Sequence, residues 1–167
     1  MFHFCPNCGH KQEQTSDQIF KCKSCRKTFY FNSKPTVTII PIYKNQEMLI
    51  SIRAIEPAKG KIDFIGGFLN NGEDPLVGAV RECKEETGLD IDSEELIYLG
   101  TWIDEYETEG TNYFTLNLIY TLNLDEKIIL QGRDDVESLV WLDIKKHKNF
   151  AFKWMDSGID ALLKNQT

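Results

Sequence analysis

Three glutamates, Glu82, Glu85 and Glu86, are grouped in a stretch from Gly67 to Leu89 that reads GFLNNGEDPLVGAVRECKEETGL. On a helix, residues three and four apart share a side, so the three carboxylates crowd one another. Like charges at that spacing cost an isolated helix about 0.2–0.5 kcal/mol per pair. A solvated face tolerates this arrangement. A hard divalent cation makes use of it, because clustered carboxylate oxygens suit Mg²⁺ or Mn²⁺.

The residues around the glutamates predict the helix that positions them. Asp74 suits the N-cap, Pro75 the first helical position and Gly88 the left-handed residue just past the end. Leu76, Val80, Cys83 and Thr87 recur at helical spacing and are expected to pack on a core. The glutamates then face away from it. Cys83 reads as an inert core thiol.

A second group with chemistry is made of cysteines. Cys5 and Cys8 form one CxxC knuckle and Cys22 and Cys25 another, with thirteen residues between Cys8 and Cys22. Four thiolates in tetrahedral array satisfy Zn²⁺ and leave no open position, so this site reads as structural. A segment of about thirty residues holds too little apolar material for its own core, and the metal replaces one.

The spacing of Gly67, Glu73, Arg81-Glu82, Lys84, Glu85-Glu86 and Gly88-Leu89 resembles the Nudix box over all 23 positions of that motif. Cys83 stands where that family has an aliphatic residue, Ile65 replaces the proline before the glycine pair, and Asn70 replaces a common acidic residue. The resemblance implies an α+β fold, an α/β/α sandwich with a mixed sheet. It implies hydrolysis of a nucleoside diphosphate linked to another moiety. Glu82, Glu85 and Glu86, with the Gly67 carbonyl, would ligate Mg²⁺ or Mn²⁺. Glu73 and Arg81 would hold the loop against the helix. Glu85 or Glu82 would be the general base. Asp134, Asp135 and Glu137 lie where a further acid is expected, and a solvated acidic turn explains them equally well.

The cysteine knuckles followed by Arg53-Ala54-Ile55-Glu56-Pro57 and then Gly66-Gly67-Phe68 resemble the zinc-ribbon branch of the family, whose members act on NADH, ADP-ribose or FAD. The Ser-Gln-Pro-Trp signature of the NADH enzymes is absent after the box, where Leu99-Gly100-Thr101-Trp102 stands. The expected substrate is therefore an ADP-containing small molecule, ADP-ribose or FAD ahead of NADH. Two rivals stay open: a nucleotide-binding regulator without turnover, and a hydrolase of capped RNA ends. Arg53 is the candidate phosphate contact. Trp102 and Tyr106, with Tyr113, are the candidate platform for a ring.

Composition fits a globular protein of 167 residues with 41% hydrophobic and 27% charged residues. No apolar run reaches the ~18 residues of a membrane span. The opening residues lack a basic region followed by an apolar stretch, so the expectation is a cytoplasmic protein without a leader. Net charge is −7. Residues 1–34 nevertheless carry Lys11, Lys21, Lys23, Arg26, Lys27 and Lys34 against Glu13 and Asp17, a balance of +4. The acidic remainder argues against general nucleic-acid binding, and the basic surplus reads as a solvated face. A ribbon over 1–33 and a catalytic domain over 34–167 are expected, with Phe29, Tyr30 and Phe31 docking the first on the second. Strands are expected at Thr36–Tyr43 and Met48–Ala54 as a hairpin, and at Phe64–Phe68, Leu96–Ile103, Thr111–Leu122 and Val136–Leu142. A closing helix is expected over His147–Lys164. The resemblance also allows a homodimer.

Overall fold

Strand β3 (Lys34–Tyr43) is the spine of the larger unit, with every residue from Thr36 to Ile42 buried. Such a continuously buried strand must be covered on both faces. The computed structural model describes residues 3–13, 16, 18–108, 110–130, 132–146 and 150–165. They fall into two units, Met1–Ser33 and Lys34–Thr167.

In the larger unit β3 is followed by β4 (Glu47–Arg53), β5 (Ile62–Asp63), β6 (Ile65–Phe68), helix α1 (Pro75–Thr87), β7 (Leu96–Thr108), β8 (Thr111–Leu124), β9 (Val136–Asp143) and helix α2 (Trp154–Asn165). The sheet runs β5-β4-β3-β8-β7, with β6 also pairing β3 and β9 pairing β4. Strands β3 and β8 are parallel, and the other pairs are antiparallel. On one face Ile40, Ile42, Ile50 and Ile119 pack with Trp154, Met155, Ile159 and Leu162 of α2. On the other, Val37, Ile39, Leu49 and Ile65 pack with Ala79 and Cys83 of α1. This is the expected α/β/α sandwich with a mixed sheet.

Two expectations change. The β3–β4 hairpin pairs only beside its turn, Ile42 with Met48 and Tyr43 with Glu47. Further along, β3 pairs with β6 from Thr36–Phe68 to Ile39–Ile65, which brings the Gly66-Gly67 segment onto the spine. The closing helix begins at Trp154, later than expected. His147 lies outside the described residues. Phe150 forms a bridge with Ile62, and the Ala151 N–H donates to the Ile62 carbonyl at 2.8 Å. That backbone bonding ties Phe150 and Ala151 to β5 ahead of the helix. Among the described residues no helix is long and apolar enough to cross a membrane.

In the smaller unit β1 (Ile19–Lys21) and β2 (Thr28–Tyr30) are antiparallel, pairing Ile19 with Tyr30, Phe20 with Phe29 and Lys21 with Thr28. Phe20 is buried with Cys5 and Cys22, and Phe29 and Phe31 pack against them. Phe29 and Phe31 thus serve the ribbon's own core, and Tyr30 is 70% exposed.

Candidate active site

Helix α1 begins and ends as its sequence predicts. The Asp74 carboxylate accepts from the Leu76 N–H at 2.9 Å, and Gly88 adopts φ 76° while its N–H donates to the Lys84 carbonyl at 2.9 Å. Its buried residues are Gly78, Ala79, Glu82, Cys83, Glu86 and Thr87. Leu76 is exposed, and Glu82 and Glu86 lie on the buried face. Cys83 and Thr87 are buried and Glu85 is exposed as expected, whereas Glu82 and Glu86 join the buried side. The cause is close approach at a small residue: a Cβ on Gly78 would meet Leu69 Cδ2 at 2.2 Å. Hydrophobic periodicity registers apolar area and is blind to carboxylates drawn inward by partners.

Those partners are glycines of β6. The Gly66 N–H donates to Glu86 Oε2 at 3.1 Å. The Glu82 carboxylate lies against Gly67, where a Cβ would fall 2.8 Å from Oε1 and 2.9 Å from Oε2. Glu85 points outward, its side chain 48% exposed.

Arg81 ties these groups together. Its Nε and Nη2 each donate to one oxygen of Glu73 at 2.8 Å. Nη1 donates to Glu82 at 2.7 Å and to Glu85 at 2.8 Å, and Nη2 also reaches the Phe68 carbonyl at 3.2 Å. Glu73 further accepts from the Asn70 N–H at 2.8 Å. The arginine and then that N–H hold the Glu73 carboxyl down at about 2. Asn70 joins this clasp through its backbone, so replacing an acidic side chain there leaves the contact intact. Ile65 is fully buried opposite Ile39.

Burial, reinforced by Asp135, pushes the Glu86 carboxyl up to about 9. Burial also raises Glu82 against the pull of Arg81. Of the three later acids considered, Asp135 acts on this cluster, since its charge raises Glu82, Glu86 and Asp63. Its backbone is fixed where its carbonyl accepts from the Ala54 N–H at 2.8 Å. Exposed Asp134 and Glu137 flank it. A set of buried carboxylates short of counter-charge fits a divalent cation, and Gly67 leaves room that a side chain would fill.

Asp63 escaped the sequence reading. It is raised by burial, yet paired with Arg53 Nη1. Arg53 Nε also donates to the Pro57 carbonyl at 2.7 Å, and the guanidinium lies 5.3 Å from the Phe152 ring centroid. Phe152 was likewise missed, because nothing in its sequence context separates it from core aromatics. Tyr106 packs on Phe152, Tyr113 and Phe68 with centroids 5.6, 5.4 and 5.7 Å apart. Lys34 Nζ stands 5.2 Å over the Tyr113 ring. A cleft of about 460 Å³ opens here, lined by Lys34, Phe68, Asn71, Glu73 and Tyr113 among others. Trp102 is placed differently: its ring covers Gly100, and it packs against the core beneath α2. The aromatic array is built on Tyr106.

A family profile described as "NUDIX domain" matches residues 32–162. The chain belongs to the NUDIX domain family. Among curated proteins this NUDIX chain is similar to the NAD-capped RNA hydrolase NudC of Haemophilus influenzae, 33% identical over 101 residues, 59% of this chain and 37% of that protein. The protein of the same name from Pseudomonas aeruginosa is 28% identical over 100 residues, 59% of this chain and 35% of that protein. The chain thus spans about a third of the length of the curated relatives it matches. The fold is shared with a NUDIX hydrolase from Nitrosomonas europaea, at TM-score 0.68 and 20% identity, covering 99% of this chain and 93% of that one. It is shared too with the NUDIX domain of Shewanella oneidensis NrtR, a structure complexed with ADP ribose, at TM-score 0.64 and 16% identity, covering 83% and 91%.

The smaller unit of the NUDIX chain carries the cysteine group. The four Sγ atoms lie within 4.8 Å of one another, and Cys5–Cys25 and Cys8–Cys22 are each 3.7 Å apart. Tetrahedral Zn–S bonds of about 2.3 Å require sulfurs about 3.8 Å apart, so the site could hold zinc. The two knuckles repeat one geometry. Gly9 N–H donates to Cys5 O at 2.9 Å, and Arg26 N–H to Cys22 O at 3.0 Å, with left-handed φ of 68° and 60°. The four thiols hold their protons unevenly: the Lys27 backbone N–H draws the Cys25 thiol down to about 6, while Cys8, against a lowering backbone hydrogen bond with His10, is pushed up to about 11 by burial and the other three thiols.

Proposed function

We propose that the chain hydrolyses the diphosphate linkage of an ADP-containing small molecule, ADP-ribose or FAD ahead of NADH, giving AMP and a phosphorylated partner. The observation that carries this reading is the placement of Glu82 against Gly67 and of Glu86 on the Gly66 N–H, with Arg81 bound to Glu73, Glu82 and Glu85 at once. Glu82, Glu86 and the Gly67 carbonyl, with Glu85, are the residues that would hold Mg²⁺ or Mn²⁺. A bound divalent ion supplies neutralisation of phosphate oxygens and a more acidic water.

This chain's residues do the rest. Arg81 fixes the glutamates against their mutual repulsion. Glu85, exposed and hydrogen-bonded through Oε2, takes the proton of the attacking water on its carboxylate. Arg53, braced by Asp63 and Phe152, faces the substrate's phosphates. Tyr106 and its aromatic neighbours take a ring. Zn²⁺ in the Cys5, Cys8, Cys22 and Cys25 site is structural.

A second reading is favoured by the NudC relatives: the same linkage at the end of a capped RNA. The deciding experiment presents ADP-ribose, FAD, NADH and NAD-capped RNA with Mg²⁺ or Mn²⁺, identifies the products, and uses Glu85→Gln as the inactive control. AMP release from a small molecule is expected. Tight binding of ADP-ribose without cleavage by the wild type overturns the hydrolase reading.

A further inference from the structure

The outward face of the ribbon is left unexplained by a structural zinc role. Strands β1 and β2 turn Phe20 and Phe29 inward, so period-two alternation sends Ile19, Lys21, Thr28 and Tyr30 outward. Ile19 and Tyr30 are directly paired and 41% and 70% exposed. Lys21, Lys23, Arg26 and Lys27 lie on or inside the turn joining the strands, all exposed. From Gln18 to Ser33 the chain has no acidic residue. Among the described residues none of these four cations is in a salt bridge, and Lys27 Nζ only donates to the Asn7 amide oxygen at 2.7 Å. The sulfurs of buried Cys5 and Cys22 sit with Phe20 on the inner side, away from this face.

An exposed tyrosine ring on the same strand face as Lys21, with further cations in the adjoining turn, is the pairing that single-stranded nucleic acid needs. The ring stacks a base, and the cations track the phosphates. An acidic peptide would use the cations and leave the ring without a partner. We infer that the outward face of the β1–β2 ribbon, Tyr30 with Lys21 and Lys23, docks single-stranded RNA, an inference that rests on the capped-RNA reading above. It departs from the sequence expectation of a merely solvated face.

The test uses the full zinc-loaded chain and an unstructured RNA oligomer of about 12 nucleotides with a 5′-hydroxyl, followed by fluorescence anisotropy. Binding should weaken with salt, and each of Lys21→Gln and Lys23→Gln should lower the slope of log K against log salt by about 0.7. Tyr30→Ala should weaken binding at least about fivefold, and Tyr30→Phe should retain it. Unchanged zinc content certifies that the ribbon of each variant is intact. Wild-type affinity in Tyr30→Ala, unaltered slopes in both lysine variants, equal displacement by polyglutamate, or preference for DNA of the same sequence overturns the inference. The oligomer contains no diphosphate linkage. Failure here therefore leaves the turnover reading untouched, and failure of turnover on capped RNA leaves this binding result standing.

Discussion

Arg81 grips Glu73 by both carboxylate oxygens, with Nε and Nη2 each at 2.8 Å. The Glu73 side chain is only 11% exposed, so this is no ordinary surface pair. The fork leaves Nη1 free to meet Glu82 and Glu85. Lysine offers one point charge in place of that fork. Arg81→Lys should therefore cut kcat about tenfold to hundredfold, as loss of a ligand-orienting partner does. The fold should survive. Parallel kinetics and thermal melts check this, and a wild-type kcat would show that the fork positions nothing.

The Glu86 carboxyl, pushed up to about 9 by burial, gives a pH prediction. An unfolded glutamate ionises near 4.3, so the native state binds more protons between there and about 9. That contribution to stability is fully present below the unfolded pKa and is lost as pH rises through the folded one. Metal-free protein should thus weaken as pH climbs toward 9, and Glu86→Gln should flatten the trend. A divalent ion must displace the proton, so its binding should tighten with pH and release protons. Calorimetry in buffers of different ionisation heat measures the release. A proton count of zero at neutral pH would contradict a protonated Glu86.

Adjacent glycines should respond in opposite ways. A Cβ on Gly67 would meet the Glu82 carboxylate, the movable end of a side chain. Gly67→Ala should fold and lose cation affinity and turnover. A Cβ on Gly66, at φ +144°, would lie 2.1 Å from the Val37 carbonyl oxygen. That backbone cannot yield, so Gly66→Ala should cost about 3 kcal/mol or more. Denaturant melts of the two variants beside metal titration separate these outcomes. Equal stability of the pair would refute the distinction.

The ribbon predicts a stability effect confined to its own unit. Cys22 is buried at the centre of the small core, and its Sγ accepts from the Cys25 N–H. Cys22→Ser should abolish zinc uptake and open the chain to proteolysis near residue 30, because binding energy here is folding energy. Limited proteolysis with metal analysis tests this. Undiminished protection would mean that the ribbon folds without its metal.

Legibility followed the physics of each signal. The α1 boundaries were readable because Asp74, Pro75 and Gly88 act through their own backbone. The Cys knuckles were readable because their spacing is the ligand geometry. The inward turn of Glu82 and Glu86 was not, since it depends on Gly66 and Gly67 arriving from β6. The zipping of β3 to β6 brings them there, and no local pattern encodes it. Asp63 was invisible for the same reason. It meets Arg53 across strands β4 and β5, ten residues on, in a pairing that only the sheet register creates.

That pair gives the final prediction. Arg53 and Asp63 side chains are 12% and 14% exposed, and Asp63 also feels the charge of Asp135. Removing the cation strands a buried carboxylate among like charges, whereas removing the carboxylate leaves Arg53 its bond to Pro57 and its contact with Phe152. Breaking a buried pair from one side costs about 3–5 kcal/mol, much of it the orphaned charge. Arg53→Met should accordingly destabilise far more than Asp63→Asn. The double variant should recover part of the loss, since no carboxylate is then left alone. Denaturant melts of the four proteins complete the cycle. If Arg53 instead only faced substrate phosphate, Arg53→Met would leave the melt unchanged and raise KM alone. The cycle with kinetics on all four proteins separates the brace from the phosphate contact. Both effects are expected together, because the bracing by Asp63 and Phe152 is what aims the guanidinium.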